Sequence, residues 1–250
     1  MRRPQILFAL ILLAAAAVEA GPFGEAMKAV AAGNEAASLP QLEAAIQADP
    51  DNLRPHSEYR MAVIKAGEYD RAIEFYEKLV EKHPKSANAW LNFGFAYVDK
   101  IPAAGSISQV ILANDALTQF SKSIELQHTW LALFTRGNSY LYWPKIFGRA
   151  PLGVADLEEA VAISKKEKTQ KRVYARAYIG LGDGYWKTDQ LDKAKAIWQE
   201  GLKLFPGEPQ LTARLARSGE ELETYINDQL DPNKRVDTNL AALYEEEPAK

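Results

Sequence analysis

Three glycines alternate over five residues in GLGDGYWK, Gly180–Lys187, a density found in loops that cradle phosphate. Phosphate chemistry asks for more than glycine. A dinucleotide loop needs G-x-G-x-x-G between a strand and a helix, and here the third place falls on Tyr185 or, counting from Gly182, on Lys187. No Gly-Lys-Ser/Thr follows, so the P-loop reading fails as well. The three histidines, His56, His83 and His128, form neither H-E-x-x-H nor another metal spacing. His83 and His128 stand where second helices end and a cation complements the dipole; His56 starts a first helix. There is no cysteine, hence no thiol chemistry and no disulfide. GSISQ, 105–109, is not a G-x-S-x-G elbow. Glu158-Glu159 and the acidic YEEEP run have no partner pattern and read as exposed charge. The sequence thus predicts no catalytic residue, no cofactor and no metal, and a protein that is not an enzyme.

What the glycines do instead follows from the residues beyond them. Gly182, Ala194, Trp198, Gly201 and Pro206 are spaced 12, 4, 3 and 5 apart, and Arg60, Ala72, Tyr76, Leu79 and Pro84 repeat that spacing. Ala26, Ser38, Leu42, Ala45 and Pro50 repeat it more loosely. Two further copies are stretched only in the first interval: 22 in Gly94, Ala116, Phe120, Ser123 and His128, and 16 in Gly137, Gly153, Leu157, Ala160 and Lys165. The unstretched period, about 34 residues, is that of stacked helix–turn–helix units. Two antiparallel helices approach closely only where side chains are small, so Gly182 and Ala194 are crossing points, and Pro206 ends the second helix. This accounts for Gly182 but not for Gly180 and Gly184, each of which costs a helix about 0.5–1 kcal/mol relative to Ala.

In ANAWLNFGFAY, Trp90, Phe93, Gly94 and Tyr97 match the Trp-x-x-Leu-Gly-x-x-Tyr pattern of the tetratricopeptide repeat, and Leu181, Gly182 and Tyr185 match it in the last copy. EYDRAIEFYEKLVEKHP and QLDKAKAIWQEGLKLFP resemble that family's second helices ending in Pro. The resemblance covers about residues 22–207. It implies an all-α, right-handed superhelical solenoid of antiparallel helix pairs, with about five repeats and a C-terminal capping helix. Repeats are expected over 21–207, with extended turns at about 99–115 and 143–153. One amphipathic capping helix is expected over 208–230, its stripe formed by Leu211, Leu215, Leu222 and Ile226, and a mobile tail over 231–250 that could instead lie along the body through Val236, Leu240 and Leu243. Residues 21–37, rich in Ala and Gly, are expected to fray, and Pro40 to sit at a helix start.

The 250 residues are 47% hydrophobic, enough for a stacked core, and the net charge of −3 offers no basic field for nucleic acid. Arg2 and Arg3 precede an uninterrupted apolar run, Ile6–Val18, of 13 residues, and Val18-Glu19-Ala20 supplies small residues at a cleavage site. Residues 1–20 read as a secretory signal peptide cut before Gly21, the run being shorter than the roughly 18 residues of a membrane span; an uncleaved anchor is the alternative. Without cysteine or an Asn-x-Ser/Thr sequon the chain fits an exported, bacterial-type protein, periplasmic rather than secreted further, with no membrane span after cleavage.

In the resembling family the first helices line a concave face. Here that face is expected to show Leu91, Phe95 and Val98, then Phe134, Asn138, Leu141 and Tyr142, then Ile179, Asp183 and Trp186, with Asn138 and Asp183 as isolated polar groups. Ser57 and Met61 stand where chaperone-binding members carry the Lys and Asn of a carboxylate clamp. The stretched turns fall on one edge and bring Pro102, Gln109 and Asn114 near Trp143, Pro144, Phe147 and Arg149, either to bind a ligand or to fill a gap. Trp186 serves either recognition or a buried contact between repeats. The expected partner-binding set is Phe95, Phe134, Asn138, Tyr142, Trp143, Arg149, Asp183 and Trp186. The expected ligand is a protein or peptide held by a non-enzymatic scaffold, or else a small molecule held by a partner of a solute-uptake system.

Overall fold

The computed structural model describes residues 21–244; the expected signal peptide at 1–20 and the last residues, 245–250, lie outside the described residues. Among the described residues there are α-helices and no strand. Ten helices form five successive pairs: α1 (Pro22–Ala31) with α2 (Glu35–Ala48), α3 (Leu53–Ala66) with α4 (Tyr69–Lys82), α5 (Ala87–Lys100) with α6 (Ser106–Leu126), α7 (Trp130–Leu141) with α8 (Ala150–Ser164), and α9 (Ala175–Lys187) with α10 (Leu191–Leu204). The result is a helical-repeat solenoid.

Small residues set the crossings. A Cβ on Gly94 would overlap the Phe120 ring, and one on Gly182 the Trp198 indole. Gly180 and Gly184 face the other way, onto the preceding pair: a Cβ at Gly184 would come within 2.9 Å of Val154, and one at Gly180 within 3.3 Å of Leu157. The alternating glycines therefore serve two interfaces of one helix. The second pair departs from this rule. Arg60 stands at the small position, and α3 approaches α2 closely but α4 only sparsely. Side chains bridge the gap: the buried His56 ring stacks on Tyr76 with centroids 5.6 Å apart. Its Nε2 lies 2.9 Å from the Pro50 carbonyl, which can only accept, so Nδ1 accepts from the Tyr76 hydroxyl at 3.1 Å.

Several boundaries differ from the sequence expectation. Residues 21–37 are not frayed: they form α1 and the start of α2, which Asn34 caps by accepting from the Ala37 N–H. Pro40 consequently lies inside α2 rather than at its start. The stretch 99–115 is not a loop; after a short 3-10 turn, Ile101–Ala103, most of the insertion lengthens α6 to 21 residues. The single capping helix is two, α11 (Pro209–Leu215) and α12 (Gly219–Gln229). Ser218 is extended and Gly219 takes φ +54°, a left-handed conformation that glycine adopts without penalty. Leu211, Leu222 and Ile226 are buried as the apolar stripe requires.

Over its described part the tail lies along the body. Residues 231–240 run without regular structure back across the first helices to a final turn, α13 (Ala241–Tyr244), and bury Thr238 and Leu240. The core has two parts: one centred on the first two pairs, one running from the third pair to the cap and Leu240, with α5 contributing Ala89 and Phe93 to the first and Leu91 and Phe95 to the second.

Replacing Gly182 by Ala should destabilise the protein by about 1–3 kcal/mol, because the Trp198 ring has no room to retreat; thermal or urea melts check this, and an unchanged midpoint would mean that the crossing is not tight. A pH dependence follows from His56. Burial pushes its pKa down from 6.5 to about 4. The unfolded chain therefore takes up the proton first, so the stabilisation is complete above pH 6.5 and is lost as pH falls toward 4. Relative to His56→Gln, the wild type should lose up to about 3 kcal/mol across that window. Parallel urea titrations of the two proteins at several pH values measure the difference.

Candidate functional site

The first helices of the last three pairs each turn one face toward a common cavity of about 870 Å³. Helical spacing puts Phe95 with Val98, Phe134 with Asn138, and Ile179 with Asp183 on those faces, and all six line the cavity. The start of α6 and the turn before it add Pro102, Gln109 and Val110. The turn between α7 and α8 adds Trp143, Pro144 and Phe147. The tail, from Val236 to Leu243, forms the remaining wall. At the mouth the apolar side chains reach solvent: Val110 is 49% and Phe147 57% exposed, with Ile111 and Ile146 exposed beside them in sequence.

Six of the eight residues expected to bind a partner line this cavity: Phe95, Phe134, Asn138, Tyr142, Trp143 and Asp183. Two do not. The Arg149 guanidinium lies 3.6 Å over the Trp143 ring and donates to Asn114 Oδ1 at 2.9 Å, so it clamps the two insertions together from behind the cavity wall. Trp186 is half-buried against the core, outside the cavity. Leu91 and Leu141, expected on the concave face, are fully buried in the core. The insertions do meet as expected, with Pro102 and Gln109 facing Trp143, Pro144 and Phe147 across the cavity.

Asp183 is not an isolated polar group. Arg214 of α11 donates to both its carboxylate oxygens, Nε to Oδ1 and Nη2 to Oδ2, each at 2.6 Å. Both side chains are buried. Burial pushes the Asp183 carboxyl above its ordinary range, and the Arg214 charge opposes that shift. Burial also raises the Tyr142 phenol, which stays neutral. The cavity is therefore a mainly apolar chamber whose buried carboxylate, Asp183, is already matched by a cation, with further charged side chains such as Glu208 and Lys234 along its wall.

Beside the cavity, at the second and third pairs, lies a second cluster. Arg60 is fully buried, with its guanidinium 4.5 Å over the Phe95 ring. Its Nε donates to Asn92 Oδ1 at 3.0 Å, Nη1 to Asp99 Oδ2 at 3.1 Å and Nη2 to the Thr238 carbonyl at 2.7 Å. Asp99 also accepts from the Thr238 hydroxyl at 2.5 Å. The Leu240 N–H donates to Ser57 Oγ at 3.0 Å. Sequence reasoning missed Asp99, Arg214 and Thr238. The available signal was Arg60 itself, a large cation at a place otherwise held by small residues, which demands a buried acceptor. Among the described residues no cluster of three His, Asp or Glu side chains is arranged to hold a metal, and no helix is long and apolar enough to cross a membrane.

These features define a class, the helical-repeat binding scaffold: a stack of helix pairs enclosing a concave, apolar surface. Tetratricopeptide-repeat family models match residues 29–94 and 175–208, so those segments carry tetratricopeptide repeats. The search among curated proteins gave no match. Among solved structures, the chain is similar to a thermophilic TPR protein of Thermus thermophilus, with 20% identity over 78% of this chain and 95% of that one and a TM-score of 0.55. It is similar to a tetratricopeptide-repeat protein from Parabacteroides merdae, with 15% identity over 84% and 74% of the two chains and a TM-score of 0.55. A third similarity is to the MamA protein, with 19% identity over 72% and 87% and a TM-score of 0.50. At these identities the likeness is one of fold.

Arg214→Met should cost about 3–5 kcal/mol, because it leaves the Asp183 carboxylate buried without its cation. Adding Asp183→Leu should restore most of the loss, since no unpaired charge then remains. Urea denaturation of the single and double variants tests this, and a double variant no more stable than the single would show that the pair is not what Arg214 supports.

Proposed function

We propose that this chain is an exported, non-enzymatic scaffold that binds a protein or peptide partner at the mouth of the aromatic cavity formed by the third to fifth repeats. Protein or peptide binding is the general mode of tetratricopeptide-repeat proteins. One observation carries the choice of surface: Val110 and Phe147, from two separate insertions, are both exposed and both line a cavity whose walls include Phe95, Phe134, Tyr142 and Trp143. Apolar side chains left in water around an aromatic recess are what a partner's apolar anchor covers, and such anchors dominate binding energy. Export rests on residues 1–20 as read in the sequence.

A small-molecule ligand is the second reading. Its support is the cavity volume of about 870 Å³ together with a mainly apolar wall; small-molecule sites span about 300–1,000 Å³. Phe147→Asp and Val110→Asp, each with an unchanged melting curve, should lose a partner that the wild type retains from an envelope extract, by about 2 kcal/mol or more of binding energy. Variants that retain it as the wild type does move the surface elsewhere. A bound mass in native mass spectrometry of the purified protein would instead select the small-molecule reading. Export predicts a soluble protein whose first residue is Gly21; a chain recovered from membranes with residues 1–20 intact overturns that part.

A further inference from the structure

The tail is held in the manner of a bound peptide rather than as a packed element. From Asp231 to Leu240 it has no regular structure, and the side chains of the first helices address its main chain: Arg60 donates to the Thr238 carbonyl, and Ser57 accepts from the Leu240 N–H. Arg235 of the tail reaches back to the Asp99 carbonyl at 3.3 Å and to the Tyr69 hydroxyl at 3.0 Å. Farther along the solenoid, Arg176 pairs with Asp237 at 3.0 Å, and Lys171 donates to the Leu243 carbonyl at 2.9 Å. Two tail side chains enter the protein. Thr238 is 3% exposed, with its hydroxyl on Asp99, and Leu240 is 5% exposed.

The floor of this groove cannot comfortably stand empty. Arg60 and Asp99 are both buried, and each gives part of its hydrogen-bonding capacity to Thr238: a guanidinium nitrogen to the carbonyl, a carboxylate oxygen to the hydroxyl. Removing those partners leaves ionised groups under-satisfied in a poorly solvated place, the costly half of the hydrogen-bond balance. The groove therefore asks for a backbone carbonyl opposite Arg60, a hydroxyl donor opposite Asp99, and an apolar side chain two residues later. Contacts to the main chain are available to any extended segment, while the side-chain seats select among segments.

We propose that this groove is a peptide-reading site whose resident occupant is the chain's own tail, and that its ligand in trans is an extended protein segment with Ser or Thr two residues before a Leu-sized apolar residue. The segment enters as the tail leaves. The tail also forms one wall of the cavity, so exchange replaces that wall with the incoming segment. The inference stands on the tail contacts and is independent of what binds at the cavity mouth.

The test uses the full chain carrying Thr238→Val and Leu240→Asp, which disengages the tail, and a fluorescent synthetic peptide with the sequence of residues 231–244. By anisotropy, the variant should bind the peptide at least tenfold more tightly than the wild type, whose tail competes. A peptide with the same two substitutions should bind neither protein. Equal binding to the two proteins, or none to a folded variant, overturns the proposal. If the variant does not fold, hydrogen exchange on the wild type decides. An exchangeable tail predicts that the Leu240 amide exchanges faster than those of Leu181 and Trp198; exchange at the same slow rate makes the tail a permanent strap and overturns the proposal.

Discussion

Two helices can approach only as closely as the side chains between them permit, and this limit shapes every part of the molecule. Where the crossing residue is Gly94 or Gly182, an aromatic ring of the partner helix, Phe120 or Trp198, occupies the place of the missing side chain and the pair closes tightly. Where it is Arg60, α3 and α4 stand apart. The same substitution that opens the second pair also places a buried cation under its concave side, and that cation calls in Asn92, Asp99 and the tail. One departure from the repeat rule thus accounts for both the spacing of two helices and the position of a segment far away in sequence.

Two buried ion pairs sit where the solenoid meets the cap and the tail. Asp183 and Arg214 tie the last pair to the cap, while Arg60 and Asp99 tie the second and third pairs to the tail. Within the fourth pair, Arg136 bonds both oxygens of Asp156 at 2.7 Å. An apolar pair of similar volume would often be as stable, but it would not dictate orientation; a bidentate guanidinium–carboxylate contact does. Here the contacts orient α11 and the tail toward the concave side, and those two elements help enclose the cavity.

The cavity arises from the lengthened third and fourth repeats. The third insertion became helix rather than loop, so α6 projects beyond its neighbours and carries Gln109 and Val110 to the rim. The fourth became a turn, with Gly148 at φ +63°, and Arg149 fixes it to α6 by stacking on Trp143 and bonding Asn114. A rigid edge of this kind presents Phe147 and Ile146 to solvent without collapsing over the opening.

The repeat was legible in the sequence because the crossing constraint acts over short distances: the interval from Ala194 to Trp198 to Gly201 is set by helix pitch, and Pro206 stops the helix wherever it stands. The part of the cavity wall that the first helices form was legible for the same reason, since Phe95, Phe134, Asn138 and Asp183 keep a fixed phase to the glycines beside them. Trp186 and Leu141 share that phase argument, yet Leu141 is buried and Trp186 half-buried against the core, which a projection of one helix does not contain. The tail and the cap lay further out of reach. Nothing in the run DPNKRVDTNLAALY has a helical or strand period, so local pattern could not assign it a place. Its position depends on acceptors and donors more than a hundred residues away, Arg60 and Asp99 for Thr238 and Ser57 for Leu240, and on Arg214 finding Asp183. Helix pitch and side-chain size, which are local, determined the solenoid from the sequence alone; the burial of charge, which requires partners from wherever the folded chain can supply them, was decided only by the tertiary structure.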